Sequence, residues 1–204
     1  AGLGAALAFL PIWPLRALIA FYLAVLRGIP FIVIVFLVHY GLPFAGVRLP
    51  AVVTGTIALT LFASAYYAEV IRATVLSLPK GQWESARAIG MTQIEAARHV
   101  IVPQILKPSI PPITNYTMTM IKESSVLSAI TVGELTYQGL IVQGNTFAPF
   151  EVFFAVAGIY WVITLAFSTA TRRLERRLGI AQGETHVSNR LAARYLSLEP
   201  ERAR

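Results

Sequence analysis

The 204 residues include no cysteine, which excludes a disulfide framework and any thiolate metal site. The three histidines, His39, His99 and His186, stand far apart and match no ligand spacing, so no metal centre is expected. No Gly-x-x-x-x-Gly-Lys-Ser/Thr phosphate loop occurs, so the chain cannot hydrolyse ATP by that route. No cluster of nucleophile, acid and base suits a membrane enzyme either. Charge is scarce: 13% of residues are charged against 56% hydrophobic, and the mean hydropathy is +0.65. An ordinary soluble domain is thereby excluded, and the chain reads as an all-α integral membrane protein. The charge that is present is mostly positive, +7 at pH 7 with a pI near 10.1. The cations lie between and after apolar runs, without the basic and aromatic pattern of a nucleic-acid groove, so nucleic acid is excluded as a partner.

Proline and glycine divide the apolar runs. Residues 1–10 are small and apolar, but they span only about 15 Å as helix, half a bilayer core. They read as the tail of a span, the first one being partly missing, and not as a signal peptide. Pro11 and Pro14 are expected to break the helix. The run over 17–42 is interrupted by Arg27-Gly28-Ile29-Pro30. Pro30 lacks a backbone donor and biases Ile29 away from helix, which predicts a short interfacial helix followed by a span over 30–41. Arg27 there is either a cation snorkelling to the headgroups or a functional residue.

Residues 49–68 carry no charge, over the length a transmembrane helix needs. Thr54, Gly55, Thr56, Thr60, Ala63 and Ser64 suit it to close helix packing. Tyr66 and Tyr67 are expected at its aqueous end. A further span is expected over 113–135, once Pro108, Pro111 and Pro112 have been passed. The segment 136–149 has no Lys or Arg, and a last span over 150–171 is closed by Arg172, Arg173, Arg176 and Arg177.

Residues 67–103 are where this apolar chain turns polar and then apolar again. Trp83, Ala86 and Gly90 fall at i, i+3, i+7, so one flank of a first short helix is apolar or small, and Gly90 suits the left-handed turn that ends it. Thr92 and Glu95 form a capping box that starts a second helix, with Ile94, Ala97 and Ile101 expected on one face. Isolated helices this short are marginal in water, so something must pack on them.

The spacing resembles the cytoplasmic loop of the membrane subunits of ABC importers, Glu-Ala-Ala, three residues, Gly, nine residues, Ile-x-Leu-Pro. Here it reads Glu84-Ser85-Ala86, Gly90 and Val100-Ile101-Val102-Pro103. In that family the loop docks into a groove of a separate ATPase subunit, which implies a docking role for Trp83, Glu84, Ser85, Ala86 and Gly90. The Arg27-Gly28-Ile29-Pro30, Lys122-Glu123-Ser124-Ser125 and Gly133-Glu134-Leu135 segments are similar to patterns of the histidine, glutamate and glutamine permeases of this class.

The resemblance implies the transmembrane domain of a type I ABC importer with about five spans. It also implies a polar amino acid as substrate, an external solute-binding protein, ABC ATPase subunits that use the ATP, and a second permease copy or homologue. No cofactor is expected in this chain.

Lys122 and Glu123 lie inside an expected span, where charges cost at least a few kcal/mol each. Two readings stand: a structural ion pair between helices, or a substrate path that includes Ser124 and Ser125. Arg16, Arg72, Lys80, Arg87, Arg98, Lys107 and the arginines after residue 171 fall on one side if spans alternate, and only Arg48 falls on the other. The positive-inside rule makes the rich side cytoplasmic, placing the 79–108 loop and the C-terminus there, in a bacterial cytoplasmic (inner) membrane. Residues 1–179 are read as the permease domain and 180–204 as a polar, mobile tail. An ion-gradient-driven secondary transporter of a small polar solute is the alternative, but no second Lys-Glu span gives the repeat such proteins show.

Overall fold

The computed structural model describes residues 13–180. The expectations for residues 1–10 and for the tail beyond 180 lie outside the described residues. Among the described residues every regular element is helical: α1 (Trp13–Gly28), α2 (Phe31–Phe44), α3 (Ala51–Leu76), α4 (Gly81–Ala88) and α5 (Gln93–Ala96). A π turn (Ala97–Ile101), α6 (Val102–Glu123), a 3-10 segment (Ser124–Ile130), α7 (Leu135–Thr146) and α8 (Pro149–Arg177) follow.

Two of these helices, α3 and α8, are long and apolar enough to cross a membrane. Two further crossings arise if each bent pair is one span: α1 with α2, bent by 110°, and Gln93–Ile130 with α7, bent by 49°.

The interruption predicted at Gly28-Ile29-Pro30 is present. Ile29 N–H makes the last bond of α1 to Val25 O, and Pro30, with no N–H, offers its carbonyl to Val33 and Ile34 at the start of α2. Pro14 stands near the start of α1. It lies in the first turn of α1, where N–H groups have no intrahelical partner and a proline costs nothing.

Helix α3 continues two turns past the apolar stretch, so Tyr66 and Tyr67 pack inside the bundle and not at its rim. Tyr66 meets the rings of Phe62 and Tyr116, and the Tyr67 hydroxyl lies 2.9 Å from Thr117 Oγ1. Arg27 finds a partner on another helix. It is 3.2 Å from Glu69, which also holds Arg72, so one carboxylate joins the elbow after α1 to the far end of α3.

The core gathers Phe31, Ile34 and Val35 of α2, Ala58 and Phe62 of α3, Met120 of α6, and Leu127 and Ile130 of the 3-10 segment. The i, i+3, i+4 spacing in α2 and the i, i+4 spacing in α3 present one face of each helix. Gly55 lets the 3-10 segment approach: a Cβ there would lie 3.2 Å from the Leu127 side chain. The small residues of α3 thus do what close packing in lipid requires, with Thr54, Gly55 and Ala58 buried and Thr56 and Thr60 bonded to their own helix.

Three expectations for the second half need correction. Helix α6 runs through Pro108, Pro111 and Pro112 instead of starting after them, because its packing along α3 and α8 holds a helix that prolines alone would break. The α-helical part of the expected 113–135 span ends at Glu123, continues as 3-10 to Ile130 and turns at 131–134. Residues 135–146 form a helix that no long apolar run announced. Helix α8 continues past Thr171, and the arginines there form its last turns.

Candidate functional site

The loop after α3 is built from local rules. Helix α4 ends in a Schellman turn: Met91 N–H bonds Ala86 O, Gly90 N–H bonds Arg87 O, and Gly90 sits at φ +83°. Thr92 then opens α5 with the predicted capping box. Its hydroxyl accepts from Glu95 N–H, and the Glu95 carboxylate accepts Thr92 N–H at 2.9 Å. These bonds from Thr92 hold the Glu95 carboxyl below the usual carboxylate range, with a smaller effect from His99.

Beyond the cap the helix widens. Val102 N–H reaches back five residues to Ala97 O, and Pro103 has no N–H to offer the next carbonyl. The buried stripe therefore runs Ala96, Ile101, Ile105, Ser109, with one five-residue step before the ordinary fours. This corrects the expected Ile94, Ala97, Ile101 face. The wide turn carries Ile101 round to join Ala96, and Ile94 is left 81% exposed.

The loop is braced on the bundle by its own small core, in which Val75, Ile101 and Ile105 pack with Ile71, Leu78, Val100 and Trp83. Gln104 Nε2 donates to Gln82 Oε1 at 2.9 Å and ties α4 to α6. Of the residues singled out from the sequence, Trp83 and Ala86 thus face inward, and Glu84, Ser85 and Gly90 face outward. Two outward residues were missed: Ile89, 74% exposed, and Ile94, which flank the Gly90 turn. Helical periodicity assigns Ile94 to a packed face and says nothing of Ile89, and only their exposure in the fold shows two large apolar side chains displayed on a polar loop.

The second group lies where α6 gives way to 3-10. Among the described residues the ion pairs are those of Glu69 with Arg27 and Arg72, so Lys122 has no carboxylate within 4 Å there and an ion pair with Glu123 is not formed. Lys122 is exposed, and Glu123, Ser124 and Ser125 are half-buried. Ser124 and Ser125 are tied to the local backbone, Ser124 Oγ donating to Ile121 O and Ser125 O accepting from Ser128 Oγ.

Nearby, Glu134 caps α7 by accepting Thr136 N–H at 2.8 Å and Tyr137 N–H at 2.7 Å, and it accepts the Tyr160 hydroxyl of α8 at 2.8 Å. The sequence showed Glu134 only as part of a short motif. Tyr160, 26 positions on, carried no signal. No group of three or more His, Cys, Asp or Glu side chains is placed to hold a metal among the described residues.

The comparisons agree with this architecture. The family model of the binding-protein-dependent transport system inner membrane component matches residues 1–180. The probable glutamine ABC transporter permease protein GlnM of Bacillus subtilis (strain 168) is 41% identical over 165 residues, 81% of this chain and 76% of the relative. The glutamine transport system permease protein GlnP of Escherichia coli (strain K12) is 37% identical over 161 residues, 78% of this chain and 74% of the relative. The solved structure of an amino acid ABC transporter with histidines superposes with a TM-score of 0.80 at 39% identity, covering 86% of this chain and 82% of the other.

Proposed function

We infer the function from one premise: the chain belongs to the family of binding-protein-dependent transport system inner membrane components. It is the multi-pass, inner-membrane permease subunit of an amino-acid ABC importer. The ion-gradient alternative finds no support among these relatives.

From there we propose that residues 79–108 are the coupling loop through which a separate ABC ATPase drives transport. The observation that carries this is the braced turn at Gly90, which presents Glu84, Ser85, Ile89 and Ile94 on one polar projection while Trp83 and Ala86 hold it to the bundle. An apolar pair rimmed by polar side chains suits a groove on a folded partner. Glu84, in the first turn of α4, favours the positive end of that helix and suits a basic group across the contact.

The further partners are a second permease copy or homologue, an external solute-binding protein and a polar amino acid. ATP is used by the partner ATPase, and the loop and C-terminus face the cytoplasm of a bacterium. Lys122, Glu123, Ser124 and Ser125 line the solute path. An unpaired cation at that depth is costly in lipid and suits a wet passage.

The test is reconstitution of the chain with its ATPase and binding protein, followed by Gly90→Arg. The expected protein inserts normally but takes up no amino acid, and the ATPase detaches or ceases to respond to the loaded binding protein. Wild-type uptake by the variant removes the coupling role from this loop.

A further inference from the structure

The break between α6 and α7 contains one of the two non-glycine residues with positive φ among the described residues, Thr131, the other being Phe147 after α7. Four helical segments end in the same Schellman pattern, and three of them place glycine at the left-handed position: Gly46, Gly90 and Gly179. The fourth ends the 3-10 segment, where Val132 N–H bonds Leu127 O and Thr131 N–H bonds Ser128 O. The left-handed residue there is Thr131 at φ +62°. A β-branched side chain is rare in that region, and such strain persists only where surrounding structure over-determines it.

What holds this turn is visible three residues on. Glu134 N–H closes back on Val132 O at 2.8 Å, and its carboxylate is the cap of α7 already described. The Tyr160 hydroxyl donates to the same carboxylate from α8 and lies 3.3 Å from Thr136 Oγ1. Tyr160 is about 16 Å along α8 from Pro149, at about 1.5 Å per residue, which is near the middle of a bilayer core of about 30 Å. Non-helical backbone at that depth must be satisfied by protein.

We propose that Glu134 and Tyr160 are positioning residues for transport. Together they clamp the strained 131–134 turn to α8 and so fix where the polar end of α6, beginning at Ser124, faces the solute path. The clamp is long-range and rigid, and it holds a turn that would relax without it. The proposal rests on the path reading for Lys122, Glu123, Ser124 and Ser125 given above.

The experiment uses the absence of native cysteine. Ser124→Cys is introduced into the otherwise native chain, assembled with its ATPase and binding protein in proteoliposomes, and its reaction rate with a water-soluble thiol reagent is measured. The rate is compared with that of the same reporter carrying Tyr160→Phe, and uptake is measured in parallel without the reporter. Tyr160→Phe removes one hydroxyl and keeps the ring, so insertion is preserved. The expected results are a labelling rate changed about fivefold and an uptake KM raised about fivefold, the scale of one lost hydrogen bond, with maximal rate and ATPase assembly kept.

Adding Thr131→Gly, which occupies the left-handed position without strain, is expected to return both values toward the parent. Glu134→Gln is expected to shift them in the same direction as Tyr160→Phe. A reporter that labels in the parent and at the same rate with Tyr160→Phe, with KM unchanged, overturns the clamp alone. A reporter inert in the parent overturns the path reading and the clamp with it. Lost insertion in Glu134→Gln together with wild-type behaviour of Tyr160→Phe reduces Glu134 to a folding residue and overturns the positioning role.

Discussion

Two of the chain's helix breaks, the loop at 81–101 and the turn at 131–134, are secured by opposite means. In the loop the bonds that shape the turns join residues no more than five apart, the Schellman pair at Gly90, the Thr92–Glu95 box and the π bond from Val102 to Ala97, and a longer one from Gln104 to Gln82 ties α4 to α6. At the inner turn the backbone is strained at Thr131 and the decisive bond comes from Tyr160, 26 residues from the Glu134 it holds. A projecting loop in water must be largely self-sufficient, because solvent competes for every polar group and only the small core around Trp83 and the Gln104–Gln82 bond anchor it. The turn at 131–134 is packed on α8, so a distant side chain can settle its geometry.

The largest expected effect tests the self-sufficiency of the loop. A Cβ added at Gly90 would meet open space within the chain, so the penalty of any side chain there is conformational, about 1–2 kcal/mol. Gly90→Ala is therefore expected to insert and to retain reduced uptake, whereas Gly90→Arg adds bulk at the docking surface and abolishes it. Equal uptake by the two variants, measured at matched expression, shows that bulk at the turn does not matter.

Next comes the long-range region. A Cβ on Gly139 would lie 2.8 Å from Val156 Cγ2, so Gly139→Leu must push α7 from α8 and costs about 1–3 kcal/mol. The thermal unfolding midpoint of the purified protein is expected to drop more for Gly139→Leu than for Gly144→Leu, since nothing lies within 4 Å of a Cβ at Gly144. Equal drops deny that α7 is held by close approach to α8.

A smaller effect sits between the two regions. Glu69 joins the α1–α2 elbow to α3 through Arg27 and Arg72, but all three are partly exposed, so the pairs are worth about 1 kcal/mol or less. A double-mutant cycle of Arg27→Gln and Glu69→Gln, read by unfolding midpoint, is expected to give a coupling of that size that shrinks in high salt. A coupling of zero leaves the elbow to Pro30 alone.

The smallest effect sharpens the local side. Thr92 keeps the Glu95 carboxyl below the usual range, so the charged form is the one favoured by the fold. The cap's contribution is present above the ordinary carboxylate pKa and is lost as pH falls through the lowered value. Amide exchange over 92–96 is expected to be slower in wild type than in Thr92→Ala at neutral pH, with the difference vanishing in acid. A difference that persists in acid assigns the protection to packing and not to the cap.

How legible each part was follows from the range of the forces involved. The membrane class, the proline break at 28–30, the left-handed Gly90 and the capping box could all be read from the sequence, because composition, a missing N–H and a three-residue bond act within one or two turns. The inward orientation of Trp83, the exposure of Ile89 and Ile94 and the course of α6 through three prolines were decided only in three dimensions, where one wide turn re-aims every later side chain. So were the reach of Arg27 to Glu69 and the hold of Tyr160 on Glu134. Hydrogen bonds across 26 or more positions leave no periodicity behind, and which residues meet depends on how the helices cross.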